Sequence, residues 1–186
     1  MNDQLPAREL IALIGPRGSG KTTVAQILAH RLGWDWVDAD DRLEKTAGRS
    51  IRSIFAEHGE AGFRAREAAI LAELCGLSRH VIATGGGAVL LEENRVLLRN
   101  STCVVWLSAD VGTLCERLET DVTTAERRPA LLGGGRSEVE EVLRTREPLY
   151  RACSDWSVET AARTPEDVAA AIAETYARRF GRSHEN

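Results

Sequence analysis

An eight-residue glycine-rich segment, Gly15-Pro-Arg-Gly-Ser-Gly-Lys-Thr22, lies between an apolar run and a stretch with helical spacing. The apolar run is Leu10–Ile14, and the helical stretch begins at Lys21. A strand that turns through glycines into a helix presents several backbone N–H groups at one point, where the helix dipole also favours negative charge. The segment therefore predicts a strand–loop–helix unit that binds phosphate, although glycine-rich turns after strands also occur as plain structural turns.

The positions of this loop indicate how a nucleotide triphosphate would be held. Lys21 supplies a mobile positive charge for the β- and γ-phosphates, and the Thr22 hydroxyl is placed to ligate Mg²⁺. The candidate ATP-binding residues of the loop are Gly18, Ser19, Gly20, Lys21, Thr22 and Thr23. Where the phosphate goes has to be inferred from the rest of the chain.

Composition favours one globular domain that acts on small molecules. The 186 residues are 43% hydrophobic and 28% charged, which is ordinary for a soluble protein, so we expect a single domain over residues 1–186. The net charge of −4 argues against nucleic acid or an anionic membrane as partner, yet the 24 basic residues can still surround an anionic substrate. We expect a cytoplasmic protein, because no signal peptide or membrane-length apolar stretch is visible, and the cysteine spacing predicts neither zinc nor disulfides.

Short β-rich runs alternate with helical patterns, which is typical of a parallel sheet with crossover helices. The predicted strands are Leu10–Ile14, Trp36–Ala39, His80–Ala83, Thr102–Leu107 and Trp156–Glu159. The predicted helices are Lys21–Leu32, Ile51–His58, Ala61–Leu77, Glu92–Asn100, Val111–Thr120, Ser137–Tyr150 and Pro165–Phe180. We expect Ser137 to start its helix with a capping box and Thr164 to cap the last helix. The fold class is α/β, in three layers around a five-stranded parallel sheet.

Two segments interrupt this alternation. Residues 41–77 insert two helices between the second and third strands, which is more than a simple crossover needs. Residues 121–136 are polar and glycine-rich, which is typical either of a solvated surface loop or of a mobile lid beside a nucleotide site.

Carboxylates and glycines follow the second and third strands, where open α/β sheets build their sites. Alternation along the chain would point Asp38 and Asp40 the same way, so that one orients a Mg²⁺-bound water and the other accepts a proton from a substrate hydroxyl. An exposed acidic turn is the alternative. The glycines Gly85–Gly87 indicate a close approach of the backbone to a ligand, or a plain flexible turn.

Several arginines could supply positive charge around a migrating phosphoryl group. Arg64 and Arg66 fall on opposite sides of a helix, so at most one of them faces the pocket. Arg146 lies near the end of a helix, and Arg127 and Arg128 lie in the 121–136 segment. Each alone could be a solvated or salt-bridged arginine, but their joint placement around one phosphate loop favours an anionic substrate.

In this order and spacing the motifs resemble the shikimate kinases, over about residues 10–165. The matching elements are Gly15–Thr22, Asp38-Ala-Asp40, Gly59-Glu60 with Phe63-Arg64-x-x-Glu67, Gly85–Gly87, Arg128-Pro129 and Arg146-x-Pro-Leu-Tyr150. The resemblance implies a Mg²⁺-dependent, monomeric P-loop kinase. Its reaction would transfer the ATP γ-phosphate to the 3-hydroxyl of shikimate, a step of aromatic amino acid biosynthesis.

The resemblance also implies which residues bind the acceptor. Asp40 would hold the shikimate hydroxyls and accept the proton. Arg64 and Arg146 would bind the carboxylate, and Gly86 and Gly87 would contribute backbone contacts.

On the nucleotide side, the resemblance places Asp38 in the Mg²⁺ shell through water and gives the lid arginine, Arg128, a contact with the phosphates. Lys21 and Arg128 would join Asp40 as catalytic residues, and Arg117 and Arg163 would lie beside adenine. Two departures fall in the lid. Arg128-Pro-Ala-Leu-Leu132 has one residue more than the usual Arg-Pro-Leu-Leu, and Thr120–Arg127 is longer than typical, so Arg127 and Arg128 compete for one role.

Other proteins could share the phosphate loop. A gluconate-kinase-like or nucleoside-monophosphate-kinase-like enzyme would not be expected to carry Arg64, the triple glycine and Arg146-x-Pro-Leu-Tyr150 together. A GTPase would carry Asn-Lys-x-Asp and an ABC-type ATPase a Leu-Ser-Gly-Gly-Gln-like segment, and neither motif is present in the sequence. A non-catalytic shikimate-binding sensor is the remaining alternative, against which the retained Lys21, Thr22, Asp38 and Asp40 argue.

Overall fold

A computed structural model of the protein describes residues 8–120 and 135–180. Its strands, in chain order, are β1 (Leu10–Ile14), β2 (Asp35–Asp38), β3 (His80–Ala83), β4 (Cys103–Ser108) and β5 (Trp156–Glu159). Its helices are α1 (Lys21–Leu32), α2 (Ala39–Ala47), α3 (Ile51–Leu74), α4 (Glu92–Ser101), α5 (Val111–Thr120), α6 (Gly135–Cys153) and α7 (Pro165–Phe180). None of the helices in this part of the chain is long and apolar enough to cross a membrane.

The five strands form one parallel sheet in the order β2-β3-β1-β4-β5, which confirms the predicted architecture. The central strand, β1, is buried along its whole length, as its unbroken apolar run predicts for a strand covered on both faces. It pairs with β3 on one side and β4 on the other, with Leu13 in register with Ala83 and Val105. Because all strands are parallel, their carboxyl ends meet at the same edge of the sheet.

Helices cover both faces of the sheet and give three layers. On one face, α1 and α7 pack their apolar stripes onto the strands through Val24, Leu28, Ile172 and Tyr176. On the other face, α3, α4 and α6 contribute Leu71, Leu98 and Tyr150. A third apolar cluster joins α2 to α3 and includes Leu43, Ile54 and Phe63. This third cluster anchors the helices between β2 and β3 to the same body as the sheet.

The structure corrects the prediction for the chain after β2. The strand spans Asp35–Asp38 instead of Trp36–Ala39, and the unpredicted helix α2 begins at once with Ala39. Asp38 caps this helix, because its side chain accepts hydrogen bonds from the N–H groups of Asp40 and Asp41. An Asp followed by acidic residues is a helix-start signal, but nine residues give too short an apolar stripe to show periodicity.

Helix α3 confirms a predicted break in a modified form. The sequence predicts helices on either side of Gly59, and the structure has two helical segments of α3 that meet at Gly59, whose backbone is not helical, with φ +63° and ψ −172°. A backbone in this left-handed region suits glycine and strains other residues. The helix also ends at Leu74, three residues before the predicted Leu77.

Helix α6 starts at Gly135 and ends at Cys153, so it exceeds the predicted Ser137–Tyr150 at both ends. Ser137 therefore lies inside the first turn, and the predicted capping box is wrong; Glu140 instead pairs with Arg136 at 2.9 Å. The predicted cap of α7 is confirmed, because the Asp167 N–H donates to Thr164 Oγ1 at 3.1 Å. Strand β4 is shifted by one residue from its predicted Thr102–Leu107, and α4 extends one residue beyond Asn100.

Candidate functional site

The glycine-rich loop connects the carboxyl end of β1 to the start of α1, as the sequence predicts. Gly18 and Gly20 adopt φ values of +78° and +87°, which allow the chain to turn sharply into the helix. Gly20 occupies the N-cap position, and no side chain caps the helix there. The first turn of a helix without a side-chain cap presents its N–H groups to an anion. The loop is thus built as an anion-binding helix start.

Lys21, the first residue of α1, is buried against this loop. Its Nζ donates hydrogen bonds to the carbonyl oxygens of Gly15 at 2.9 Å and Pro16 at 2.7 Å. A third contact, at 3.4 Å, reaches the hydroxyl of Ser19. The ammonium group is thereby held at the mouth of the loop, where a bound phosphate would lie.

Thr22 and Asp38 bring α1 and the end of β2 together. Thr22 Oγ1 donates to Asp38 Oδ2 at 2.7 Å, while Asp38 Oδ1 accepts from the N–H of Asp40 at 2.9 Å. Burial raises the pKa of the Asp38 carboxyl, the Thr22 hydrogen bond opposes that rise, and the negative charge of Asp40 adds to it. A cation beside this carboxylate would relieve the cost of its buried charge.

The donor set at this position fits Mg²⁺. A hydroxyl and a carboxylate oxygen are the hard ligands that Mg²⁺ takes, usually one or two from the protein with phosphates and waters completing the shell. Within residues 8–120 and 135–180, no cluster of three or more His, Cys, Asp or Glu side chains is arranged to hold a metal ion. Thr22 and Asp38 are two oxygen ligands of the kind that Mg²⁺ takes from a protein.

Asp38 and Asp40 lie close together, but strand alternation is not the reason. Asp40 belongs to the first turn of α2, and its carboxylate turns toward the glycines that follow β3. A Cβ built on Gly85 would stand 3.0 Å from Asp40 Oδ1 and 2.8 Å from Glu67 Oε1. The absence of a side chain at Gly85 therefore lets two carboxylates reach the end of β3.

Arg64 lies at the other end of the same glycine segment. A Cβ on Gly87 would stand 2.5 Å from both terminal nitrogens of the Arg64 guanidinium, so a side chain at this position would displace the guanidinium. Arg64 and Glu67 are both buried, and Arg64 Nη1 donates to Glu67 Oε2 at 2.6 Å. Arg66 turns away and donates to the Gly62 carbonyl of its own helix, which confirms that one arginine of the pair faces the glycines.

Arg146 and Tyr150 approach the middle of the segment from α6. Arg146 Nη1 donates to the Gly86 carbonyl oxygen at 3.2 Å, and the Tyr150 hydroxyl donates to the same oxygen at 2.5 Å. Burial raises the pKa of Tyr150 to about 12, so its hydroxyl keeps its proton at neutral pH. Two side chains from one turn of α6 therefore hold one carbonyl group.

Arg117 of α5 links the phosphate loop to the end of β5. Its Nη1 donates to the Gly18 carbonyl at 3.2 Å and to Thr160 Oγ1 at 3.0 Å, and its Nη2 donates to the Thr160 carbonyl at 2.8 Å. Arg163 is exposed in the turn between β5 and α7. Arg127 and Arg128 lie outside the described residues, as does most of the 121–136 segment.

Three residues of this arrangement had no predicted role. Glu67 pairs with Arg64 at i+3, and Tyr150 lies at i+4 from Arg146; helical spacing could have indicated both. Thr160 is buried and also donates to the Ser108 carbonyl at 3.0 Å. No local pattern marks Thr160, because its partners are far away in the sequence.

Comparisons with known proteins identify the family to which the chain is similar. The model of the shikimate kinase family matches residues 17–177. A shikimate kinase from Rhodopirellula baltica is 46% identical over 168 residues, 90% of this chain and 89% of that protein. One from Methylococcus capsulatus is 44% identical over 154 residues, 82% of this chain and 84% of its own length.

Solved structures show the same likeness. A shikimate kinase from Acinetobacter baumannii in complex with shikimate superposes with a TM-score of 0.84 at 35% identity, over 92% of this chain and 93% of that one. A gluconokinase from Sinorhizobium meliloti has a TM-score of 0.57 at 19% identity, with 94% of each chain covered, and shares the fold alone. The A. baumannii enzyme is much more similar to this chain in both sequence and structure than the gluconokinase is. Together with the sequence matches, this likeness shows that the chain belongs to the shikimate kinase family.

Proposed function

We propose that this kinase transfers the γ-phosphoryl group of ATP to the 3-hydroxyl of shikimate, giving shikimate 3-phosphate and ADP. One observation carries the proposal beyond family membership. The segment Gly85–Gly87 has a carboxylate, Asp40, at one end and two arginines, Arg64 and Arg146, at its other positions. An acceptor that carries both hydroxyls and a carboxylate matches this arrangement.

The two partners of Arg64 suggest how it would take up the acceptor. Its short bond to Glu67 is buried, whereas its contact with Glu60 is 3.3 Å long and Glu60 is 67% exposed. A substrate carboxylate could replace the exposed Glu60 while Glu67 keeps the guanidinium plane in place. Each charge-assisted hydrogen bond gained is worth about 1.5–3 kcal/mol. A neutral sugar, which has no carboxylate, would gain none of this.

On the donor side, we propose that the backbone of Gly18, Ser19 and Gly20 binds the phosphates together with Lys21, Thr22 and Thr23. Thr22 and, through water, Asp38 would hold Mg²⁺, which when bound neutralises charge on the phosphates. Asp40 would orient the 3-hydroxyl of shikimate and take its proton as the phosphoryl group is transferred. The backbone of Gly86 and Gly87 would position the acceptor beside it.

Several further predictions belong to this proposal. Arg128, with Arg127 as the alternative, would reach the phosphates from a lid at residues 121–136, and Arg117 and Arg163 would flank the adenine. The segment 41–77 would be the acceptor-binding insertion of one domain spanning residues 1–186. A monomer in the cytoplasm remains our expectation from the sequence.

ADP release over a panel of acceptors tests the function. Purified protein is assayed with ATP and Mg²⁺ against shikimate, quinate, gluconate and nucleoside monophosphates, and we expect turnover with shikimate. Lys21→Ala protein purified in parallel controls for contaminating host kinases. Absence of shikimate-dependent turnover in the wild type would contradict the proposed function. Turnover with gluconate instead would favour a gluconate-kinase-like enzyme.

A further inference from the structure

The three carbonyl groups of the segment Gly85–Gly87 are each held by a hydrogen bond. The Gly85 carbonyl accepts from the N–H of Ala88 and the Gly87 carbonyl from the N–H of Leu90, both at 3.0 Å. These are local turn bonds. The Gly86 carbonyl differs, because it accepts from the side chains of Tyr150 and Arg146, more than 60 positions away in the sequence for Tyr150.

Holding the Gly86 carbonyl also orients the next N–H group. The peptide group between Gly86 and Gly87 is trans, so its carbonyl and its N–H point in opposite directions within one plane. With the carbonyl turned toward α6, the Gly87 N–H is turned away from α6. Three glycines in a row have few intrinsic restraints on that plane, so the restraint has to come from the hydrogen bonds on Gly86.

Tyr150 is better suited than Arg146 to supply this restraint. Its ring is buried and stacks on Trp106, with ring centroids 6.0 Å apart and planes at 22°. Its bond to Gly86, at 2.5 Å, is shorter than that of Arg146, at 3.2 Å. Arg146 is only half-buried and would have to share its guanidinium with a substrate carboxylate. The tyrosine can keep the carbonyl in place while the arginine changes partners.

We infer that Tyr150 is a positioning residue for the acceptor: its hydroxyl holds the Gly86 carbonyl, which orients the Gly87 N–H and leaves Arg146 available for the substrate carboxylate. The inference rests on the proposed function, in which Gly86, Gly87 and Arg146 bind shikimate. Tyr150 does not itself touch the reacting atoms in this arrangement.

The chain offers a matched control for removing the hydroxyl. It contains two tyrosines, and the second, Tyr176, is also buried and also donates to a backbone carbonyl, that of Arg8, at 2.9 Å. Tyr176 lies in the apolar cluster on the opposite face of the sheet from Tyr150. Tyr150→Phe and Tyr176→Phe therefore remove the same kind of bond in two different places.

Steady-state kinetics of the two variants test the inference. We expect Tyr150→Phe to raise the KM for shikimate by about three- to tenfold, the effect of one neutral hydrogen bond, and to leave the KM for ATP unchanged. Tyr176→Phe should change neither KM, although both variants should lose some thermal stability. A rise in the shikimate KM no larger for Tyr150→Phe than for Tyr176→Phe would overturn the inference.

Amide hydrogen exchange in the protein without substrate gives an independent readout. Loosening of the segment in Tyr150→Phe should speed exchange at Ala88 and Leu90, whose N–H groups bond to Gly85 and Gly87. Unchanged protection there would overturn the inference whatever the substrate. Faster exchange together with no shikimate turnover by the wild type would instead overturn the proposed function.

A probe in the intact protein covers the case in which Tyr150→Phe does not fold. With fluorotyrosine at both tyrosines, wild-type protein should give two fluorine resonances, assigned with Tyr176→Phe. We expect saturating shikimate to shift the Tyr150 resonance and not that of Tyr176. A Tyr150 resonance that does not move at saturation would count against the inference.

Discussion

Thr22 Oγ1 donates a 2.7 Å hydrogen bond to the carboxylate of Asp38, whose other oxygen caps helix α2. The Asp38 side chain thus joins the start of α1 to the start of α2, and its carboxylate is partly buried. Burial raises the Asp38 pKa despite the hydrogen bond from Thr22. The geometry is therefore costly for the protein alone and favourable once a cation is present.

The first prediction follows from the sign of this shift. A carboxyl with a raised folded-state pKa binds more protons when folded than when unfolded, so the free energy of unfolding falls as pH rises from its ordinary pKa through the raised value. Asp38→Asn retains a good N-cap residue and removes the charge. Without Mg²⁺ or nucleotide, we expect the variant to gain stability relative to wild type as pH rises.

Urea unfolding of both proteins between about pH 4 and pH 8 measures this difference. The same variant should lose most kinase activity, and raising Mg²⁺ should not restore it. A stability difference that is independent of pH, or that favours wild type increasingly as pH rises, would contradict a net cost of burying the Asp38 charge.

The second prediction concerns Asp40. Because its carboxylate lies beside Gly85, where the acceptor is proposed to bind, Asp40→Asn should lower kcat by about 10²–10⁴-fold while ATP binding stays near wild type. Asp41→Asn is the matched control, since Asp41 is the neighbouring carboxylate and is exposed. Calorimetric ATP binding and ADP release measure the two effects. Near-normal turnover of Asp40→Asn would remove Asp40 from the mechanism.

The third prediction separates the two arginines of α3. Arg64→Ala should raise the KM for shikimate by about 10- to 100-fold, because it removes a charge-assisted bond to the carboxylate, and should affect the KM for ATP much less. Arg66→Ala removes an arginine two positions away that bonds only locally to Gly62 in the described contacts, and should change neither. Equal changes of both KM values in Arg64→Ala would contradict its carboxylate role.

Loss of Arg64 also leaves Glu67 as a buried carboxylate without its main partner. We therefore expect a lower melting temperature for Arg64→Ala than for wild type. Adding Glu67→Gln should recover part of this loss, because it removes the buried charge. The kinetic constants are to be measured well below the melting temperature of each variant, so that stability and binding are not confused.

The fourth prediction concerns the nucleotide side. Thr160→Val deletes the hydroxyl that accepts from Arg117, which should let the arginine and the Gly18 carbonyl shift. We expect the KM for ATP to rise by about three- to tenfold and the KM for shikimate to stay unchanged. Thr160→Ser should retain the wild-type values.

Thr102→Val is the control for Thr160→Val, because Thr102 is also buried and its hydroxyl donates to the Leu98 carbonyl of the preceding helix, α4. If Thr102→Val raised the ATP KM as much as Thr160→Val does, the effect would be one of general stability and not of the Arg117 contact.

The sequence predicted the sheet well because its strands are short apolar runs that leave few alternatives. Leu10–Ile14 is buried on both faces, and an unbroken run of this kind has no helical period. The boundaries shifted where polar residues end an element. After β2, Asp38 caps a helix instead of continuing the strand, since the choice depends on tertiary packing of Leu43 against α3.

Residues that the structure brings together could be named from the sequence, but their contacts could not. Arg146 and Gly86 could each be named from their motifs, whereas the bond between them crosses 60 positions of sequence and depends on how α6 packs on the sheet. Glu67 and Tyr150 belong to the same motifs, but the sequence did not indicate what they contact. Their roles come from burial, which brings polar groups together because each needs a partner away from water.

Thr84, between β3 and the glycines, donates from both its N–H and its hydroxyl to the carbonyl of Leu13, at 3.1 and 3.0 Å. These two hydrogen bonds join the carboxyl end of β3 to that of β1. Neighbouring strands of a sheet lie about 4.8 Å apart. In the proposed function the nucleotide lies beyond β1 and the acceptor beyond β3, so this pairing would set the distance between them. Side chains on α3 and α6 could then diverge to admit other acceptors without altering the distance over which the phosphoryl group travels.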